Sequence, residues 1–420
     1  MGVVKEIKCQ DCGPVPIHHG LSKAILIIDW FSTPFNKFSI GLTRLISKVF
    51  NGFGIDDIGY IFWLLSKVGL AKVKYEPDDL NSDRARCIWE AANKRGIKVK
   101  EIRAFGRTLE LFVAEYDGKK LLFEALPRPK GPRSKGYYWM DNKAKMRTEF
   151  MKAGIPVAFG DVAFTFKGAK KVLDRVKSLH SEALVSGKPS GSGLVITKPH
   201  IGSRSRHTNI HLLTDQELMR GFKIAKKLSP FVIVDQELSC MVHRAAVLGG
   251  NLVAVLRREP PYVIGDGVRN VKELIEEENR NPKRQGPYFH QIPIDEQTEA
   301  ELARLGLSYT TIPASGDMVI VRNNIGRSSG GSNSDVTDLV HPDNKVLFEK
   351  VAVVIGDSII GIDFIIEDIS KSWKEQYPCG VIECNSVPFL DLHHFPLRGN
   401  VVDTSGALWD IVWPEAKVVL

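Results

Sequence analysis

The chain has 420 residues, 43% hydrophobic and 25% charged, the proportions of an ordinary folded protein with room for two or three domains. Its six cysteines are scattered, which excludes a disulfide scaffold and suits a reducing compartment. With 57 basic against 49 acidic side chains the net charge is +8, which suits an anionic ligand; without a dense Lys/Arg run, no specific nucleic-acid partner is expected.

The N-terminus has no long apolar segment of the signal-peptide kind. The longest apolar stretches, 24–28 and 58–65, are too short to span a bilayer, so no membrane span and a cytoplasmic location are expected. Cys9-Gln-Asp-Cys12 with His18-His19 leaves two readings open, a zinc site or a reduced pair in a loop; the adjacent histidines depart from the usual ligand spacing. Residues 34–68 have apolar side chains at helical spacing with interspersed lysine and arginine. They read as amphipathic helices that pack on the next domain or, less simply, lie on a membrane surface.

From residue 79 the pattern sharpens. A helix is expected over 79–95, then strands at 97–103 and 108–116 and a hairpin through Asp117-Gly118. The Pro-rich stretch 127–133 marks a boundary, giving an N-terminal helical and α/β domain over 1–135. Helices follow at 142–152, 168–184, 214–228, 271–279 and 343–355. Strands are expected at 162–166, 194–199, 231–238, 244–248 and 252–256. Further boundaries are placed at 136–230 and 231–420.

Four stretches carry chemistry. Lys198 ends an apolar strand before a polar loop that includes Gly202 and Ser203, and Lys143 opens a helix. Each could be a phosphate-directed ammonium or a solvated lysine. In Phe231-Val-Ile-Val-Asp235-Gln236-Glu237-Leu238 a strand leaves the core into an acidic segment that could hold a base edge and ribose hydroxyls. Arg322 stands before a Ser/Gly-rich loop, either a ligand-approaching loop or a flexible surface one. Last, Asp363 interrupts an apolar run, and Glu383 and Asn385 alternate on Val-Ile-Glu-Cys-Asn. Residues two apart on a strand share a face, so Glu383 and Asn385 project together while Ile382 and Cys384 pack the other way. Two carboxylates and an amide oxygen suit a hard cation; a strand with satisfied polar side chains is the other reading.

In this order the pieces resemble the ATP-grasp superfamily of carboxylate–amine ligases, over about residues 139–395. Within it, Arg258-Glu-Pro-Pro…Gly265-Asp-Gly267 and Ser328-Ser-Gly-Gly331 are similar to the ATP-grasp parts of cyanophycin synthetase and bifunctional glutathione synthetase. The resemblance implies an α+β chain with the ATP-grasp fold, two α/β subdomains clasping ATP, after an N-terminal α/β domain. It implies ATP and Mg²⁺ (Mn²⁺ as the alternative), with Lys143, Lys198, Gly202 and Ser203 on the phosphates and Asp235, Gln236, Glu237 and Leu238 as the adenine hinge. Arg258 and Arg322 would act on the transferring phosphoryl group, and Asp363, Glu383 and Asn385 would hold the metal. The implied reaction phosphorylates a carboxylate of a small amino acid or peptide, and an amine then attacks the acyl phosphate. The alternatives are an ATP-grasp kinase-type phosphotransferase and a nucleotide-binding protein with weakened catalysis; a homo-oligomer is compatible with any of these. Ser205 and His207 stand where the family usually has glycines, so the reading for that loop is that Arg204, Arg206 and His207 contact phosphate or substrate instead.

Overall fold

The computed structural model describes residues 19–20, 64–74, 82–104, 107–131, 134–140, 142–186, 191–200, 207–238, 240–323 and 325–418. The expectations for Cys9, Cys12, His18, Gly202, Ser203, Arg204, Ser205, Arg206 and nearly all of 34–68 lie outside these residues. Among the described residues no helix is long and apolar enough to cross a membrane.

The first unit is a sheet with a helix laid on it. Strand β1 (Ala71–Lys74) precedes helix α1 (Asp83–Asn93), whose cap Ser82 accepts a hydrogen bond from the Ala85 N–H at 3.4 Å. Strands β2 (Lys98–Ala104), β3 (Arg107–Tyr116) and β4 (Lys119–Glu124) follow, and the antiparallel order is β1-β2-β3-β4. Asp117 and Gly118 both have positive φ, 46° and 71°, the geometry of a tight hairpin whose twist matches its strands. The Ile88 and Trp89 face of α1 shares one apolar cluster with Phe112, Phe123, Trp409 and Trp413. Arg128, in the Pro-rich stretch, is buried and pairs with Asp357, so packing runs across the stretch.

The second unit begins with α2 (Lys143–Lys152), capped by Asn142, and β5 (Gly160–Ala163). The strand expected over 162–166 stops early because Thr165 accepts from the Gly168 N–H at 3.2 Å and starts helix α3 (Phe166–Val185). Strands β6 (Val195–Pro199) and β7 (Asn209–Leu212), helix α4 (Asp215–Ala225) and strand β8 (Val232–Gln236) complete it. The sheet order is β5-β8-β6-β7, with α3 and α4 covering an apolar face. Thr214 and Glu217 cap α4 reciprocally. Gly160 lets β5 sit against β8, since a Cβ there would meet the Val234 carbonyl oxygen at 2.4 Å.

The third unit is organised by a five-stranded antiparallel sheet. Its strands are β9 (Met241–Leu248), β10 (Asn251–Glu259), β13 (Ser332–Asp335), β14 (Ile359–Ile366) and β15 (Gly380–Asn385), in the order β13-β10-β9-β14-β15. Between β10 and β13 the chain leaves the sheet. There β11 (Tyr262–Ile264) pairs with β12 (Met318–Ile320), and helices α5 (Val271–Asn279) and α6 (Glu296–Arg304) build a small separate core. Strand β13, Ser-Asn-Ser-Asp, has no apolar pattern to mark it. Pairing with β10 fixes it, and Ser332 and Ser334 both donate to Glu259, at 2.8 and 2.9 Å. Helix α7 (Pro342–Ile355) lies on one face of the sheet, and the short α8 (Asp391–His394) and α9 (Thr404–Val412) close the chain.

Alternation divides this sheet. Ala245, Val247, Val255, Ile360, Ile362 and Phe364 point into a core with Phe348 of α7 and Phe150 of α2. On the opposite face the strand register lines up Arg244, Asp363 and Glu383, with Arg258 one step along β10 and Asn385 one step along β15.

Candidate active site

The sheets of the second and third units bound a cavity of about 910 Å³. Of the residues expected to serve a nucleotide, Lys143, Lys198, Asp235, Gln236, Glu237, Leu238, Arg258 and Glu383 line it. Apolar side chains from both units, among them Ile196, Ile210, Met241 and Ile320, line it as well. A cavity with a broad apolar wall and a few placed cations suits a flat base joined to a polyanion.

The two lysines are held by carboxylates. Lys143 is the first residue of α2, which places its ammonium 3.4 Å from Glu383 Oε1 on β15. Lys198, at the end of β6, reaches Asp235 Oδ2 at 2.9 Å, and Arg147 of α2 pairs with the other Asp235 oxygen. Asp235, expected as part of a base- and ribose-binding hinge, therefore has both oxygens engaged by cations. Next to it, Glu237 accepts from the His211 backbone N–H at 2.7 Å and faces His211 Nδ1 at 2.7 Å. Burial pulls the Arg258 pKa below its ordinary value, and the nearby guanidiniums of Arg244 and Arg327 add to the effect; its Nε has no hydrogen-bond partner. The Asp363 and Glu383 carboxylates oppose that shift without outweighing it, and a buried cation with an unused donor is poised for an anion.

The expected metal ligands are arranged by the sheet but not equally available. Asp363 sits opposite Glu383, and Asn385 opposite Gly361, so the three share one face. Glu383 lines the cavity. Asp363 is fully engaged: Arg244 Nε and Nη2 donate to its two oxygens at 2.7 and 2.5 Å. Burial alone would raise the Asp363 pKa, but the guanidinium outweighs it and holds the carboxyl below the usual range. Among the described residues no three acidic, histidine or cysteine side chains converge as a ready-made metal site. The donor types fit a hard cation at Glu383 and Asn385, whereas Asp363 would enter the same shell only by sharing its oxygens with Arg244.

Three other expectations come out differently. Ile382 does not pack away with Cys384 but lines the cavity. A register shift sets Asp363 opposite Glu383 and Phe364 opposite Val381, so Ile382 is the extra residue of a bulge, which turns its side chain. Arg322 is not among the cavity-lining residues: its Nε donates to Thr298 Oγ1 at 2.8 Å and its guanidinium pairs with Asp295 at the start of α6, while its neighbour Asn323 lines the cavity. His207 adopts φ of 55°, the left-handed conformation that favours glycine, and turns inward: it is buried, with Nδ1 2.9 Å from the Ile224 carbonyl oxygen rather than in the cavity.

Sequence reasoning missed Arg244, Arg147 and His211, each a partner of an expected residue. Arg244 had a readable signal, a lone charge inside the strand Met-Val-His-Arg-Ala-Ala-Val-Leu, the same sign that drew attention to Asp363. Arg147 had none, because a helix surface full of lysines hides it.

Two mixed α/β units whose sheets close on one cavity, each supplying both cations and carboxylates to it, define the ATP-grasp class of fold, and the chain has that fold. A cyanophycin synthetase of Nostoc sp. is 29% identical over 268 residues, 63% of this chain and 28% of that protein. The glutathione biosynthesis bifunctional protein of Clostridium perfringens is 30% identical over 315 residues, 73% of this chain and 38% of that protein. In fold, the chain is similar to a bifunctional glutathione synthetase from Pasteurella multocida, with a TM-score of 0.56 and 23% identity over 80% of this chain and 44% of that one. The chain thus spans about a third of the length of the curated relatives it matches. No protein-family model matches it.

Proposed function

We propose that the chain is an ATP-dependent carboxylate–amine ligase working through an acyl phosphate, on an amino acid or a small peptide. The observation that carries this reading is the cavity itself, which gathers Lys143, Lys198, Arg258 and Glu383 from opposite sheets around one apolar-walled space. Phosphoryl transfer requires positioning and charge neutralisation rather than a protein nucleophile, and these residues supply both.

In this reading the base lies against Ile196, Ile210 and Met241. The N–H groups of Gln236 and Glu237 already donate to Phe159 and Leu194 carbonyls, at 2.6 and 2.9 Å, so the base edge meets the hinge at Leu238 and at carbonyl oxygens. Lys143 and Lys198 take the phosphates, each released from a carboxylate partner as the polyanion arrives. Arg258, short of partners, receives the charge that develops on the transferring group. Glu383 and Asn385 would hold Mg²⁺, which when bound neutralises phosphate charge and orients the transferring group. Arg322 serves by fixing the strand end that carries Asn323 to the cavity.

The test is ADP release measured against a panel of amino acids and dipeptides. A ligase releases ADP only when an acid and an amine are both supplied. Release with a single substrate would instead mark a kinase, and ATP binding without turnover would mark a binding protein.

A further inference from the structure

The strand that carries Glu383 and Asn385 lies at the edge of its sheet, where the order β13-β10-β9-β14-β15 gives β15 one ladder neighbour. Asn385 is the last residue of β15, and its pairing with Gly361 ends the register. A strand end at a sheet edge frays unless something beyond the ladder holds it. Here the hold comes from the N-terminal unit. Arg128, in the Pro-rich stretch, donates through Nη2 to the Ser386 carbonyl oxygen and through Nη1 to Asp357 Oδ1, with its guanidinium over the Tyr137 ring at 5.3 Å. Asp357 Oδ1 also accepts from the Ile359 N–H at 3.0 Å, at the start of β14. Arg84 of α1 donates to the next carbonyl oxygen, that of Val387, at 3.5 Å; it pairs with Glu110 and stands over the Phe389 ring at 5.2 Å. Val387 and Leu390 then pack in the cluster that α1 shares with β3 and β4. The segment folds back across the strand end, since a Cβ at Gly361, opposite Asn385, would meet Pro388 Cβ at 2.7 Å.

A buried guanidinium paired with one carboxylate about repays its own desolvation, so stability alone gives little reason for the arrangement. The fork of a guanidinium reaches two partners in fixed geometry, which an ammonium cannot do. Arg128 thereby ties the start of β14 to the end of β15, beside the Gly361–Asn385 pair. Among the described residues nothing hydrogen-bonds the Asn385 side chain, so its backbone sets where the amide points. A metal site needs its ligands held closely, and the groups that orient them matter nearly as much as the ligands.

From these contacts we infer that Arg128 and Arg84 are positioning residues for the metal site, through which the N-terminal unit aims Asn385. This rests on the reading of Glu383 and Asn385 as metal ligands and specifies what keeps Asn385 in place. It gives the N-terminal unit a part in metal binding although it supplies no ligand.

Mn²⁺ binding to protein saturated with a non-hydrolysable ATP analogue tests it, followed by loss of the free-ion electron paramagnetic resonance signal. Arg128→Lys keeps a positive charge on Asp357 but cannot reach Ser386 at the same time. It should weaken Mn²⁺ by about 10-fold, the lower end of what losing an orienting group costs, and leave the analogue's affinity measured without metal unchanged. Arg84→Gln should weaken Mn²⁺ in the same direction. It strands only Glu110, whose side chain is 31% exposed, so it carries the test if Arg128→Lys folds poorly. In an Asn385→Ala background Arg128→Lys should cost nothing further. Parent-like Mn²⁺ affinity in both variants would overturn the inference. So would an equal loss of Mn²⁺ affinity and of metal-free analogue affinity, the mark of general loosening, or a full loss that persists without Asn385. Failure of the parent protein to bind Mn²⁺ beside the analogue would instead remove the metal reading on which it rests.

Discussion

The two faces of the five-stranded sheet come from the same strands and differ only in which alternate residues they carry. One face buries Ala245, Val247, Ile360, Ile362 and Phe364 against α7 and α2. The other presents Arg244, Arg258, Asp363 and Glu383. The apolar face is stabilised by removing surface from water, which tolerates many sequences. The charged face gains far less: a buried ion pair such as Arg244–Asp363 about repays its desolvation and no more. A charged row in the middle of a sheet is thus poor value for folding and points to a role outside it.

Truncation on the two faces should therefore fail in different ways, and the largest effects test that directly. Phe364 is fully buried, so Phe364→Ala should cost about 3–5 kcal/mol in chemical denaturation while the folded fraction keeps its nucleotide affinity. Arg244→Ala should also cost about 3–5 kcal/mol, because it leaves Asp363 charged and buried without its partner. Replacing both, Arg244→Leu with Asp363→Leu, should restore stability to within about 1 kcal/mol of the parent yet abolish ATP turnover. If the double variant stayed as unstable as Arg244→Ala, the pair would be structural and the contrast between the faces would collapse.

Much of this contrast was legible in the sequence. Asp363 inside an apolar run, and Glu383 alternating with Asn385, gave the strands and their shared face, and the register bears that out. Lys143 and Lys198 were legible because a helix start and a strand end leave few places for an ammonium to point. What was not legible depends on partners far apart in sequence. The Arg244–Asp363 bond spans 119 residues, and Arg147–Asp235 spans 88. The bulge that turns Ile382 toward the cavity is a property of two paired strands, which no single run of residues encodes. Strand β13 escaped because its alternation is Ser and Asn, polar on both faces, and its place is fixed by hydrogen bonds to Glu259.

A smaller effect on stability but a large one on chemistry is expected at Glu383. It is partly exposed to the cavity and its ion pair with Lys143 is long, 3.4 Å, so folding gains little from it. Glu383→Gln keeps the shape and removes the charge. Metal-dependent ADP release should fall on the order of 10²–10³-fold, with the thermal melting midpoint unchanged. Retention of full activity would remove Glu383 from the metal site.

The remaining contrast belongs to the face away from the cavity and separates the two by pH. His243 lies between Val242 and Arg244 but points the other way, and burial, aided by Arg257, pushes its pKa down from 6.5 to about 4. In the unfolded chain the imidazole takes up a proton as the pH falls through 6.5; in the folded protein it does so only near 4. The folded state thus binds fewer protons in that window, and its stability, fully present above 6.5, should decline on acidification by up to about 1.4 kcal/mol per pH unit. His243→Gln should flatten that decline in denaturant titrations between pH 6.5 and 4, without changing the nucleotide affinity at pH 7.5. The carboxylate of Asp363, one residue across on β14, is held below the usual carboxylate range by Arg244, so its contribution is lost only at still lower pH. If the decline between 6.5 and 4 survived His243→Gln and vanished in the Arg244→Leu with Asp363→Leu variant, the acid sensitivity would belong to the charged face instead.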